Sequence, residues 1–309
     1  MRKISIIDIG SNTIRLVTFS IIDNNRSVIL NERFFAGIIE HTQSGELSDE
    51  GMEIIINCLT KLKALSNLIR ADELHCFATA SLRYIDNIAA VKQQVLQQVG
   101  LDIEILSGDD EILYDYAALK SNGVPDNGIG LDLGGGSGQL FRFESGEIQN
   151  ALSLPIGTLL LYNRHVTGVL PTKEEQKAIR QDVKAQLHAH AGLSKLDHDT
   201  IYCMGGGVRA ALKLYRALQG PLQVPGKADL TKGEIKDMLH AIYDMGDKGV
   251  RLVSHVIPER LYTVIPAMLT LKEILKYTGA ERLQVVKSSV REGYLCQKIL
   301  KQSSISIGS

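Results

Sequence analysis

Apolar residues recur along this chain at two periods, and the shorter period marks the strands. Residues 4–9 and 14–22 are nearly unbroken apolar runs and read as two strands joined by a turn of Gly10, Ser11, Asn12 and Thr13. Residues 34–39 read as a further strand, and 74–78 and 103–106 as short ones. Residues 129–133 and 140–143 read as a second hairpin, and 283–286 as a buried strand. Helical spacing begins after Ser48, where Met52, Ile55, Ile56, Leu59 and Leu62 share a face and Asp49 and Glu50 suit the first-turn dipole. Asn87 is the expected cap of a helix that turns Val91, Val95 and Val99 to the core. Ser107-Gly108-Asp109-Asp110-Glu111 opens another helix through Leu119. Thr172 with Glu175 and Thr231 with Glu234 form capping-box patterns, the first opening a charged helix to about residue 191. Residues 266–277 and 291–301 read as helices, and 303–309 as a frayed tail. Strands alternate with helices throughout, so the class is α/β.

Two strands carry a carboxylate where the pattern calls for an apolar residue. Asp8 is followed by Ile9, Gly10 and small polar residues; Asp132 is followed by Leu133, Gly134, Gly135, Gly136 and Ser137. An unpaired charge out of water costs several kcal/mol, so such residues need a task. Glycine turns present successive backbone N–H groups that suit phosphate. Gly134, Gly135 and Gly136 alone read equally well as a plain hairpin turn. The recurrence of Asp-x-Gly half a chain apart instead suggests a duplicated lobe, with a phosphate chain held between the two loops. A third glycine turn, Gly205-Gly206-Gly207, follows the apolar residues 201–203. The linker at 121–128 precedes the second hairpin and sets the expected lobes at 1–124 and 125–309, with the last helix packing back on the first lobe.

Composition narrows the functional classes. A chain of 309 residues suits two domains, and 44% hydrophobic with 22% charged residues is ordinary for a globular protein. A net charge of −1 gives no global basic field, so a polyanion must be met by local Lys and Arg. The helix carrying Lys173, Lys177, Arg180 and Lys184 reads as a solvated face, and no aromatic-interleaved basic patch points to nucleic acid. Cys58, Cys76, Cys203 and Cys296 are scattered, which argues for reduced thiols and against zinc. His188 and His190 are two apart and share no helix face. The phosphate-loop pattern G-x-x-x-x-G-K-[ST] is absent, and Gly134-Gly135-Gly136 lacks the last glycine of G-x-G-x-x-G. No secretory leader or membrane-length apolar run is expected, which places the chain in the cytoplasm. Apolar helices in the second lobe leave room for a homodimer.

Seven segments in order carry a resemblance. Asp8-Ile9-Gly10-Ser11-Asn12-Thr13-Ile14-Arg15-Leu16 resembles the first phosphate motif of the exopolyphosphatase/guanosine pentaphosphatase (Ppx/GppA) family. Ala78-Thr79-Ala80-Ser81-Leu82-Arg83 resembles its A-T-S-A-L-R, and the Ser107 to Glu111 segment its S-G-x-x-E. Asp132 to Ser137 resembles D-I-G-G-G-S, and Ser153-Leu154-Pro155-Ile156-Gly157 resembles S-L-P-L-G. Gly205-Gly206 with Arg209, and Ser289-Val290-Arg291-Glu292-Gly293, complete the set. The resemblance implies a two-lobed actin/sugar-kinase/Hsp70-like (ribonuclease H-like) fold with an interlobe phosphate cleft, in the short, two-domain form. It implies Mg²⁺-dependent release of the terminal phosphate of inorganic polyphosphate or of guanosine pentaphosphate. Asp8 and Asp132 are then the metal residues, and Glu111, Asp132 and Arg83 the catalytic set. Gly10, Ser11, Asn12, Thr13, Arg15, Gly134, Gly135, Gly136, Ser137, Gly205 and Gly206 hold phosphate.

Two departures stand against full activity. The family pattern D-I-G-G-G-S-T-E-L has an active-site Glu where this chain has Gln139, which is neither a base nor an anionic ligand. Gly207 replaces a common Thr. The alternative from another class is a weakly active or inactive sensor of polyphosphate or guanosine pentaphosphate, which Gln139 favours. A kinase of the same fold fits the ordered motifs less well.

Overall fold

The computed structural model describes residues 1–23, 25–190, 192–194, 198–220 and 226–301. The expected frayed tail at 303–309 and the expected helix end at residue 191 lie outside them. The described backbone divides into two compact units, Met1–Ser107 and Gly108–Ser309.

In the first unit, β1 (Arg2–Ile9), β2 (Thr13–Ile22) and β3 (Asn25–Phe35) run as an antiparallel meander. A small ladder of β4 (Thr42–Gln43) and β5 (Glu46–Leu47) precedes α1 (Asp49–Leu68). Then follow β6 (Glu73–Ala78), α2 (Ala80–Arg83), α3 (Ile88–Val99) and β7 (Glu104–Ile105). The sheet order is β3-β2-β1-β6-β7, the last two strands parallel to β1. The Ser48 hydroxyl accepts from the Gly51 N–H at 3.2 Å, a cap worth about 1 kcal/mol. Ile55, Leu59 and Leu62 of α1 and Val91 and Val95 of α3 share a core with Ile7, Ile9, Ile14 and Leu16.

Two local expectations change. The strand expected at 34–39 ends at Phe35; Gly37 turns at φ +55° and Ile38–His41 form a 3₁₀ turn. The cause is the first glycine turn, whose Asn12 carbonyl accepts from both Ala36 N (2.9 Å) and Gly37 N (3.1 Å). Asn87 stands before α3 but does not cap it. Its amide accepts from Leu47 N and donates to Leu47 O, at 3.0 and 2.9 Å, so it fastens α3 to β5.

The second unit opens with α4 (Gly108–Lys120), so the lobe boundary expected at 124/125 falls beyond the far end of this helix. A meander of β8 (Gly128–Leu133), β9 (Gly138–Glu144) and β10 (Glu147–Leu154) follows. Next come α5 (Thr158–His165), α6 (Lys173–His188), β11 (Thr200–Met204) and α7 (Gly206–Gln219). β12 (Asp229–Thr231), α8 (Lys232–Asp244), α9 (Asp247–Val256), α10 (Val264–Thr278) and β13 (Arg282–Val285) lead to α11 (Val290–Tyr294), which continues as a π-helical turn at Leu295–Ile299. Both expected capping boxes form, at Thr172/Glu175 and Thr231/Glu234. The sheet order β10-β9-β8-β11-β13-β12 repeats the first unit's series, an antiparallel meander extended by two parallel strands, and adds antiparallel β12 at the edge. The two sheets thus share one strand series, as the two-lobed fold implied by the resemblance requires.

Alternation sorts the second sheet into two faces. Ile129, Leu131, Leu133 and Leu140 join the core built with α5 to α10. Phe141, Phe143 and Met204 join Ile112, Tyr116 and Leu119 of α4 on the other face. Glycines make room for those rings: a Cβ on Gly130 would fall 2.2 Å from the Phe141 ring, and one on Gly128 2.9 Å from Phe143. The Tyr116 ring centroid lies 4.9 Å from that of Phe143. α11 backs α4, and a Cβ on Gly293 would fall 1.7 Å from the Tyr114 carbonyl oxygen, so only glycine permits this approach. Tyr114 and Tyr294 meet edge to face at 5.2 Å beside it.

Candidate functional site

The two Asp-x-Gly turns are the same structure built twice. Gly10 N donates to Thr13 O at 3.0 Å, and Gly134 N donates to Ser137 O at 3.0 Å. A Cβ on Gly10 would sit 3.2 Å from Thr13 O, and one on Gly134 3.2 Å from Ser137 O. Asp8 lies directly opposite Arg15 across β1 and β2, and Asp132 directly opposite Gln139 across β8 and β9. Cross-strand partners point to the same face, so Arg15 and Gln139 occupy equivalent places. Asp8 is 9% exposed, and the Asp132 Oδ1 atom is buried.

Each turn is anchored by its carbonyls. Ser11 O accepts from Ile39 N (3.1 Å), beside the Asn12 bonds to Ala36 and Gly37. Gly134 O accepts from Thr158 N (3.0 Å), and Gly135 O from Leu159 N (2.9 Å) and Leu160 N (3.0 Å), all in the first turn of α5. In a trans peptide the C=O and the following N–H point opposite ways, and no peptide here is cis. The N–H groups of Asn12, Gly135 and Gly136 therefore aim away from those anchors, where an anion can meet them. Gly157 closes the second anchor, since a Cβ there would fall 2.2 Å from the Gly136 carbonyl carbon. That explains the spacing of the Ser153 to Gly157 segment after the triple glycine. β10 escapes the sequence pattern because a register shift between Ile148 and Asn150 breaks the alternation.

Around the first turn, the Ser81 hydroxyl donates to Ile9 O at 2.7 Å and ties α2 to the end of β1. Arg83, at the other end of α2, donates to Leu106 O at 2.9 Å and stacks over the Tyr84 ring at 4.9 Å. Arg15 donates to the Asn31 side chain at 3.1 Å.

Around the second turn, Asp132 shares the sheet face that carries α4, by the alternation that sends Leu131 and Leu133 to the other side. Glu111, 6% exposed, stands in the first turn of that helix. Gly108 brings the helix start onto β10, for a Cβ there would fall 2.7 Å from that of Ser153. Gln139, 2% exposed, donates from Nε2 to Ser137 Oγ at 2.9 Å and Ser153 Oγ at 3.1 Å. The residue that replaces the expected Glu is thus a neutral tie between the glycine turn and β10. Gly205, at φ +99°, leads into α7, and a Cβ on it would fall 2.4 Å from Leu133 O and 2.5 Å from Asp132 Oδ1. The Arg260 guanidinium lies against Gly206, 2.2 Å from where its Cβ would be. Nothing in the sequence marked Arg260, which stands in a short 3₁₀ turn, Pro258–Arg260.

The carboxylates are felt by their neighbours. Burial pushes the Cys76 and Cys203 thiols up, and Asp8 and Asp132 respectively push them further. Both thiols are thereby inert, and all four cysteines are free. Arg209 donates to Ser288 O at 3.1 Å. Desolvation lowers its pKa although its side chain reaches solvent; Asp132 opposes the shift, Arg291 adds to it and Glu292 opposes it. Among the described residues no group of three or more His, Cys, Asp or Glu forms a metal cage. Single carboxylates on each turn suit Mg²⁺, which is held by one or two carboxylates together with substrate phosphates and water. No helix among the described residues is long and apolar enough to cross a membrane.

Known proteins share this sequence and fold. The sequence model of the Ppx/GppA phosphatase family matches residues 27–302. The chain is 24% identical over 313 residues to the bifunctional 3-dehydroquinate synthase/phosphatase of Fusobacterium nucleatum, covering 95% of this chain but 46% of that protein, so it spans less than half of that relative. It is 22% identical over 307 residues to Exopolyphosphatase 1 of Mycobacterium bovis, covering 96% of this chain and 88% of the other. The crystal structure of the Aquifex aeolicus member of the Ppx/GppA protein family superposes with a TM-score of 0.78 at 24% identity, covering 98% of this chain and 99% of that one.

Proposed function

Because the chain belongs to the Ppx/GppA phosphatase family, we propose that it hydrolyses phosphoanhydride bonds, releasing the terminal phosphate of inorganic polyphosphate and, at the same site, of guanosine pentaphosphate. The observation that carries this reading is the pair of matching glycine turns, each anchored through its carbonyls and each preceded by a carboxylate. Phosphoryl transfer needs positioning and charge neutralisation more than covalent help, and the turns offer both.

The N–H groups of Gly10 to Thr13 and of Gly134 to Ser137 hold phosphate oxygens, and Gly205 and Gly206 extend the cradle. Glu111 takes a proton from the attacking water as its oxygen bonds the terminal phosphorus. The bridging P–O bond then breaks, and its electron pair leaves on the shortened chain. Arg83 and Arg15 neutralise charge that moves onto the phosphate oxygens in the transition state. Asp8 and Asp132 are the residues that would hold Mg²⁺, which supplies charge neutralisation at those oxygens. We place the reaction in the cytoplasm.

Purified protein given polyphosphate with Mg²⁺, and with a chelator instead, tests the proposal. Orthophosphate release that needs the metal is the expected result; no release under either condition contradicts it. One observation favours a second reading, a sensor that binds the same ligands and turns them over slowly. Gln139 is buried as an uncharged tie to Ser137 and Ser153, so the second turn lacks the carboxylate that the resemblance places there. Tight polyphosphate binding without release would select the sensor.

A further inference from the structure

Three helices of the second unit each carry a pair of cations one turn apart: Arg180 and Lys184 on α6, Lys232 and Lys236 on α8, and Lys272 and Lys276 on α10. A spacing of four puts each pair on one helix face, where like charges destabilise the helix. α10 packs against both α6 and α8, and Lys184 of α6 reaches Glu273 of α10 at 3.6 Å. A cavity of about 430 Å³ opens beside that pair, lined by Lys184, Leu187, His188, Ser194, Glu273, Lys276 and Tyr277.

The acidic counterweight is small. Glu273, 6% exposed, lies 3.6 Å from Lys184. Asp182 on α6 is taken by Arg164 and His165, and Glu234 on α8 by Lys227, Tyr215 and Thr231. Asp237 follows Lys236 but, as its immediate neighbour, points elsewhere around the helix. Burial lowers the Lys272 pKa; Arg180 lowers it further, Glu273 opposes, and Lys236 and Lys232 add to the fall. Like charges one turn apart on each of three helices cost stability that a bound polyanion would return.

We propose that this face is a docking track for a distal stretch of the linear phosphate chain whose end is hydrolysed at the glycine turns. The inference rests on polyphosphate being the substrate. A bare phosphate chain suits the face better than single-stranded nucleic acid, whose bases stack on open aromatic faces. The Tyr277 ring that lines the cavity is 6% exposed and meets the edge of His188 at 5.5 Å, and its hydroxyl bonds the His190 carbonyl. The track is also distant from the reaction. α10 leads through Gly279 into the start of β13, whereas Asp132 and Gly205 stand at the finishing ends of β8 and β11, strands parallel to β13. The six residues of β8 alone span about 20 Å, so only a long chain reaches both places.

The test combines Lys232→Gln, Lys236→Gln and Lys276→Gln, three exposed positions outside the hydrolytic machinery. KM for long-chain polyphosphate should rise about tenfold or more, while kcat and both constants for tripolyphosphate stay at wild-type values. The log–log salt dependence of long-chain binding should flatten by about two for three lost cations. The melting temperature should equal or exceed that of wild type as repulsion is relieved. An unchanged long-chain KM, or an equal shift for tripolyphosphate, overturns the track and leaves the hydrolase standing. Should wild type hydrolyse neither substrate, the hydrolytic reading fails, and direct binding of long-chain polyphosphate still judges the track: weakened binding in the triple variant upholds it, and unchanged binding overturns it. Single-stranded RNA that binds wild type as tightly as polyphosphate overturns the assignment to a bare phosphate chain.

Discussion

The first and second glycine turns share a hydrogen bond of the same length, the same clearance for an added Cβ and the same carboxylate one strand position before the apolar residue. They differ in what stands across from that carboxylate and in what holds the turn. The first faces Arg15 and is held by a 3₁₀ segment; the second faces Gln139 and is held by the first turn of α5. Matching backbone with unmatched side chains teaches that the cradle is a property of the turn, whereas charge is assigned separately in each unit. A neutral amide is no base, so the proposed hydrolysis works only provided that Glu111 supplies one.

That proviso gives the largest expected effect. Glu111→Gln should lower turnover about 10²- to 10⁴-fold while leaving polyphosphate binding and the melting temperature near wild type; single-turnover phosphate release with parallel calorimetry checks it, and wild-type turnover would remove Glu111 from the mechanism. Next is Gln139→Glu, which gives the second turn the carboxylate that the resemblance places there. The Ser137 and Ser153 hydroxyls can donate to the new carboxylate, so the tie survives, and the rate should rise about tenfold. A fall in rate with unchanged stability would mean that another carboxylate already fills this role.

Gly205→Ala separates the turns by stability. The added Cβ meets Leu133 O and Asp132 Oδ1 at a positive φ, which should cost about 1–3 kcal/mol and impair the second turn alone. Chemical denaturation reads the cost, and a neutral result would mean that the backbone shifts freely there. The smallest effect is the most symmetrical. Gly10→Ala and Gly134→Ala each press a Cβ against their own turn's carbonyl at 3.2 Å, so each should lose about 1 kcal/mol or less, and the two losses should agree. Unequal losses would break the equivalence of the turns.

The sequence made both turns legible because a buried Asp before a glycine is rare enough to stand out from an apolar strand. Helix starts were legible wherever a side chain satisfies the backbone locally, as at Ser48, Thr172 and Thr231. Asn87 misled for the converse reason: its partner is Leu47, forty positions away, and local pattern says nothing of that. β10 hid behind its register shift, and the strand expected at 34–39 was cut short by hydrogen bonds to Asn12. Arg260 and the α5 anchor were illegible, since both are long-range contacts made by residues unremarkable in sequence.

The central claim is that both turns serve one metal-assisted hydrolysis. Its most direct test is a Mg²⁺ titration of orthophosphate release from polyphosphate by wild type, Asp8→Asn and Asp132→Asn, measured side by side. Each substitution should move the midpoint to higher Mg²⁺ by at least about tenfold, the loss expected for weakened metal ligation, with little change in stability. Titration curves that coincide with wild type in both variants would contradict the account.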